Sequence, residues 1–182
     1  MNLNLGSTAV SLGGVTAGTI IVVLVLQRWW KKGSGGGKKG DDGGGRDWKQ
    51  LIPFVVALCF GILAVLAAGP ISVLGLITRL SLWAGDGIGT LYLIYGVGGS
   101  SPGVTRSAPV ILTPGGYAVY AIWSAVLVGQ HLWSKKLPRL QSVLGVFAGI
   151  LLGLSRGVAG TAAVPLASLV NLAGSWYAGV FQ

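Results

Sequence analysis

The sequence predicts an all-α polytopic bundle integral to a membrane. It has four transmembrane helices, a fifth left open, and one interfacial or re-entrant helix. Three observations predict this class. Apolar residues make up 52% of the chain and charged residues only 9%, whereas a soluble domain carries about 25% charge. Apolar runs of roughly bilayer length recur along the chain. Seven of the thirteen Lys and Arg residues fall between Arg28 and Lys49, and Lys135, Lys136 and Arg139 form a second block. Basic residues gathered beside apolar runs mark cytoplasmic flanks. A nucleic-acid-binding domain is the competing explanation for a net charge of +9. Both blocks are too short and too closely tied to apolar runs for it, and no specific nucleic acid is expected as a partner.

The chain divides into an N-terminal transmembrane helix (1–27), a basic Gly-rich cytoplasmic linker (28–49) and a helical membrane domain (50–182). The first span is read over residues 8–27; a helix of that size rises about 30 Å, the thickness of the hydrocarbon layer. Gly14 and Gly18 stand four apart and leave a flat face for another helix. Trp29 and Trp30 follow where an interfacial aromatic belt belongs. Arg28, Lys31 and Lys32 come after the span and no basic residue precedes it. A cleaved signal has the opposite order, so a retained span with its N-terminus outside is expected. The linker's glycine runs disfavour a helix, and GSGGGKK lacks the residue order of a phosphate-binding loop.

The second span covers 50–68, with Pro53 in its first turn and Gly69 and Pro70 closing it. Residues 71–96 differ: Ser72, Arg79 and Asp86 recur every seven residues and form a polar stripe. Such a stripe suits an interfacial or re-entrant helix, or one whose polar face lines a bundle interior. Gly85, Gly87 and Gly89 are expected to break it. Residues 97–113 read as a loop, Thr113 and Pro114 as a helix start, and 115–134 as the third span. Two basic blocks on one side require an even number of crossings between them, which puts 71–113 outside or re-entrant. Residues 140–160 form the fourth span. The remainder, interrupted by Pro165, Asn171 and Gly174, is a fifth span or an outer interfacial segment. Regions 50–96 and 140–181 share a faint common layout of span, interruption and second apolar run.

Gly145, Gly149, Gly153 and Gly157 repeat every four residues, a ladder of three G-x-x-x-G units on one helix face. A face without side chains lets another backbone approach closely. Its partner is either a helix of the same chain or a second copy. Arg156 interrupts the fourth span near one end. It is read as a snorkelling anchor, a lipid-headgroup or pore-lining group, or a partner for Asp86, for which Arg79 competes. The topology anchors are Arg28, Lys31, Lys32, Lys135, Lys136 and Arg139. Gln130 and Asn171 are candidates for interhelical hydrogen bonds. Cys59 and His131 stand alone, so no metal site, cofactor site or catalytic residue is assigned, and no enzymatic signature is found.

Two function classes follow for a multi-pass protein of a bacterial inner membrane. The first is an oligomerising structural or assembly subunit of a secretion, conjugation or phage-encoded membrane complex. The second is a holin-like pore or small transporter. The expected partners are the bilayer with its anionic headgroups, and further copies or other membrane subunits.

Overall fold

The computed structural model describes residues 10–34, 48–67, 72–104, 112–133, 139–153, 155 and 158–180. Of these residues 89% are helical, and the chain is all-α. The helices are α1 (Leu12–Ser34), α2 (Ile52–Ala67), α3 (Val73–Leu91), α4 (Pro114–Trp133), α5 (Arg139–Gly153) and α6 (Val158–Val180). A π turn, Tyr92–Gly96, extends α3, and a 3-10 turn, Trp48–Gln50, precedes α2. Two short strands, β1 (Val10–Ser11) and β2 (Gly103–Val104), pair antiparallel with Val10 opposite Val104.

The two shortest helices form the centre. α2 has 16 residues and α5 has 15, and they pack along each other. Every residue from Phe60 to Val65 is buried, as befits a helix that is apolar all round. Leu63, Ile150 and Leu151 are among the largest fully buried side chains. α1 pairs with α3 on one flank and α4 with α6 on the other. Their outer faces expose large apolar groups, among them Leu24, Leu80, Trp83, Val128, Leu172 and Trp176. Among the described residues one helix, over Leu12–Lys31, is by itself long and apolar enough to cross a membrane.

Four expectations change. The first helix does not stop at residue 27; it runs through both tryptophans to Ser34. The glycines at 85, 87 and 89 do not break α3. A Cβ at Gly85 would strike the Leu151 side chain, and one at Gly89 would strike the Gly13 backbone. Close packing there offsets the roughly 1 kcal/mol that a helical glycine costs. Likewise Pro165 and Gly174 lie inside a continuous α6. Residues 140–160 are not one helix, because α5 ends at Gly153 and α6 starts at Val158. Ser155 directs both its N–H and its hydroxyl to the Leu152 carbonyl, at 3.0 and 2.8 Å. That local bonding competes with continuation of the helix.

Candidate functional site

The glycine ladder lies against α2 of the same chain. A Cβ on Gly145 would stand 2.7 Å from the Phe54 carbonyl oxygen and 2.9 Å from the Ala57 Cβ. On Gly149 it would stand 2.9 Å from the Ile62 nitrogen, and on Gly153 3.1 Å from the Ile62 Cα. The partners advance along α2 as the glycines advance along α5, so the two helices run in the same direction. Gly61 supplies the reciprocal gap on α2, facing Val146 and Gly149. Gly157 lies outside the described residues. The three described rungs are therefore covered by α2 and do not present a free face to a second copy.

Gly14 and Gly18 divide their roles. At Gly18 a Cβ would lie 3.0–3.1 Å from Leu152 and Leu151 of α5. Gly14 donates its N–H to the Ser11 hydroxyl at 3.2 Å. The closest crossing of α1 is at its neighbour Gly13, which meets the backbone of Gly89 and Thr90.

Around that crossing is a polar clasp. The Ser11 N–H donates to Asp86 Oδ1 at 2.7 Å, and Ser11 Oγ, Thr90 Oγ1 and Ser101 Oγ form a chain at 3.2 and 3.1 Å. The first three N–H groups of α1 are taken, that of Gly14 by the Ser11 hydroxyl. Leu12 donates to the Pro102 carbonyl at 2.9 Å and Gly13 to Ser101 Oγ at 3.1 Å. A helix N-terminus closed in this way is a structural joint and leaves no anion site.

A second clasp repeats the first. The Thr113 N–H donates to Asn171 Oδ1 at 2.9 Å, and the Thr113 hydroxyl donates to the same oxygen at 3.1 Å. Gly116 N–H donates to Thr113 Oγ1 at 3.1 Å, as Gly14 does to Ser11. Gly115 crosses Gly174 backbone to backbone, as Gly13 crosses Gly89. The sequence carries the same equivalence: SLGG from Ser11 and TPGG from Thr113, DGIGTLY from Asp86 and NLAGSWY from Asn171, and GIL from both Gly61 and Gly149. The chain is thus two like three-helix units, α1–α3 and α4–α6, joined at the α2–α5 seam. Ser11, Gly13, Gly61, Ser101 and Gly115 were not assigned as site residues from the spacing, and Gly89 was expected only to break its helix; these recurring short motifs are the signal that marks most of them.

The predicted charged groups separate. Asp86 belongs to the first clasp, and Arg79 lies two helical turns before it on α3. Lys135, Lys136 and Arg156 lie outside the described residues. Arg28 lines a cavity of about 300 Å³ with Val25, Trp29, Gln50, Leu51 and Gln141. The end of α1 and the starts of α2 and α5 therefore meet at one end of the bundle, where the rings of Trp29 and Trp48 lie 5.1 Å apart. Lys31 and Arg139 are exposed on those same helix ends, and Lys32 follows Lys31 in α1. Both clasps sit at the opposite ends of α1 and α4. Among the described residues no group of three or more His, Cys, Asp or Glu side chains gathers as a metal site.

The two units differ in one respect. Tyr120 occupies the place of Gly18, each seven residues after its clasp residue. It stacks on Phe60 at 4.8 Å and 11°, and Trp123 meets Phe60 edge-on at 6.0 Å. Aromatic rings thus separate α4 from α2, whereas Gly18 lets α1 close on α5. Comparison with protein-family models, with characterised proteins and with solved structures found no match.

Proposed function

We propose that this chain is a multi-pass integral membrane protein that serves as an oligomerising structural or assembly subunit of a membrane complex of the secretion, conjugation or phage-encoded kind. The observation that carries the reading is the inversion of polarity between inside and outside. A short α2–α5 pair, buried from Phe60 to Val65 and from Ala148 to Leu151, lies within helices whose outer faces are rich in exposed Leu, Val, Trp and Tyr. Water penalises such a surface and lipid does not. Helix α4, of 20 residues, has spanning length though not uniform apolarity.

The orientation follows from charge. Arg28, Lys31 and Arg139 share one end of the bundle, which the positive-inside bias assigns to the cytoplasm, with the N-terminus and both clasps outside. A pore or transporter draws less support. In proteins built from repeats the substrate path runs between the repeats near mid-membrane. Here that interface is the Gly61–Gly149 crossing, shut backbone against backbone and lined by Ala57, Ile62 and Val146. Oligomer contacts then fall to the outer faces of the flanking helices.

Alkaline extraction of membranes expressing the chain, followed by mass measurement in native lipid nanodiscs and a dye-release assay in vesicles, tests the proposal. It expects retention in the membrane, a discrete multiple of the chain or a complex with other membrane subunits, and no release. Extraction at high pH overturns the membrane reading, and dye release overturns the choice of class.

A further inference from the structure

A cavity of about 440 Å³ lies between α2, α3, α4 and α5. Its walls are apolar, with Phe60, Leu74, Leu127 and Val146 among them. Two of its hydroxyls are already used within their own helices: Thr78 donates to the Leu74 carbonyl at 2.8 Å, and Ser124 to the Ala121 carbonyl at 2.7 Å. The mouth is marked by exposed Ile77, Val128, Leu132 and Val143. The cavity is a break in the internal repeat. At the equivalent place in the other unit, Val22 and Val25 of α1 pack onto Phe54 and Leu58 of α2. Aligning the two GIL motifs puts Ser142 in the position of Phe54, and aligning SLGG with TPGG puts Ser124 in that of Val22. Two small residues therefore replace a phenylalanine and a valine, and Tyr120 and Trp123 hold α4 away.

We propose that this cavity takes one acyl chain of an anionic phospholipid, with the headgroup at Arg139. The walls select hydrocarbon. Charge complementarity selects the headgroup: Arg139 is exposed one turn before Ser142 on α5, and the sequence places Lys135 and Lys136 between Trp133 and Arg139. The positive charge of Arg139 at the open end of an apolar slot matches a lipid that is negative at one end. The inference rests on the membrane reading above.

The test is photocrosslinking of the full chain in vesicles, first shown by flotation to hold it. The probes are phosphatidylglycerol and phosphatidylcholine bearing the same diazirine acyl chain, and labelled residues are mapped by mass spectrometry. Phosphatidylglycerol is expected to label Ile77, Val128, Leu132 and Val143 in preference to Leu24 and Leu172 on other faces. Ser142→Phe, which restores the residue of the other unit, removes that preference. Arg139→Gln, a surface change, lowers the anionic-over-zwitterionic ratio about fivefold, the effect of one basic residue at an anionic surface. Even labelling over all faces, or a pattern unchanged in both variants, overturns the inference while leaving the membrane reading intact. A chain that does not float with the vesicles overturns both.

Discussion

Gly61 and Gly149 face each other at the centre of the bundle, and a Cβ added to either would stand 3.0 Å from the Cα of the other. Neither helix can retreat from its partner without opening the core around Leu63, Ile150 and Leu151. Gly149→Ala is therefore expected to destabilise the protein by about 1–3 kcal/mol, the range for overpacking a close-packed interior. Gly87 is the control, because a Cβ there meets nothing within 4 Å. Gly87→Ala is expected to stabilise by about 0.5–1 kcal/mol, through helix propensity alone. Reversible denaturation in mixed micelles measures both, and equal effects would refute the seam as described.

The clasps predict a graded response at position 86. Asp86→Asn installs the residue found at the same place in the second unit and keeps an oxygen within reach of the Ser11 N–H. Asp86→Ala removes the acceptor and leaves a part-buried donor, at a cost of about 1.5–3 kcal/mol for a hydrogen bond to a charged group. In a double-mutant cycle Asp86→Ala and Asn171→Ala should add, since each acts in its own clasp. A large coupling energy between them would mean that the two clasps are not separate joints.

Orientation can be read with single cysteines in a Cys59→Ala background. An impermeant maleimide added outside intact cells is expected to label Ser100→Cys and to spare Gly43→Cys and Leu137→Cys. Labelling after permeabilisation should reverse for the latter two. Any outside labelling of the 43 or 137 position breaks the rule that both basic blocks share the cytoplasmic side.

What the sequence made legible was the class of element and the small-residue face. The apolar runs before Arg28 and after Lys49 became α1 and α2, and the four-residue spacing of Gly145, Gly149 and Gly153 became the seam. The misreading at Gly85–Gly89 has a physical cause. Propensity is worth about a kilocalorie per residue, while the contacts of Gly85 with Leu151 and of Gly89 with Gly13 join segments far apart in the chain. The clasps were hidden for the same reason, as Ser11 and Asp86 are 75 residues apart and Thr113 and Asn171 are 58 apart. Only the repeated SLGG and TPGG, read beside DGIGTLY and NLAGSWY, carried that information in one dimension.

Tyr120 gives the remaining prediction. It is only 3% exposed, and its hydroxyl is the one buried side-chain polar atom among the described residues without a hydrogen-bond partner. The ring is useful there, stacked on Phe60 and wedging α4 from α2. The oxygen is a liability, because a buried donor that pairs with nothing forfeits about 1–3 kcal/mol of solvation. Tyr120→Phe keeps the wedge and is expected to raise stability by up to about 1 kcal/mol, given incomplete relief of that penalty. Tyr120→Gly, which copies Gly18 of the first unit, removes the wedge and the stacking, and is expected to cost about 3–5 kcal/mol, as large aromatic truncations in cores do. Denaturation midpoints of the two variants against the parent chain decide the matter. A loss of stability in Tyr120→Phe would mean that the hydroxyl has a partner in solution or lipid, and the two units would then differ by a polar contact as well as by a ring.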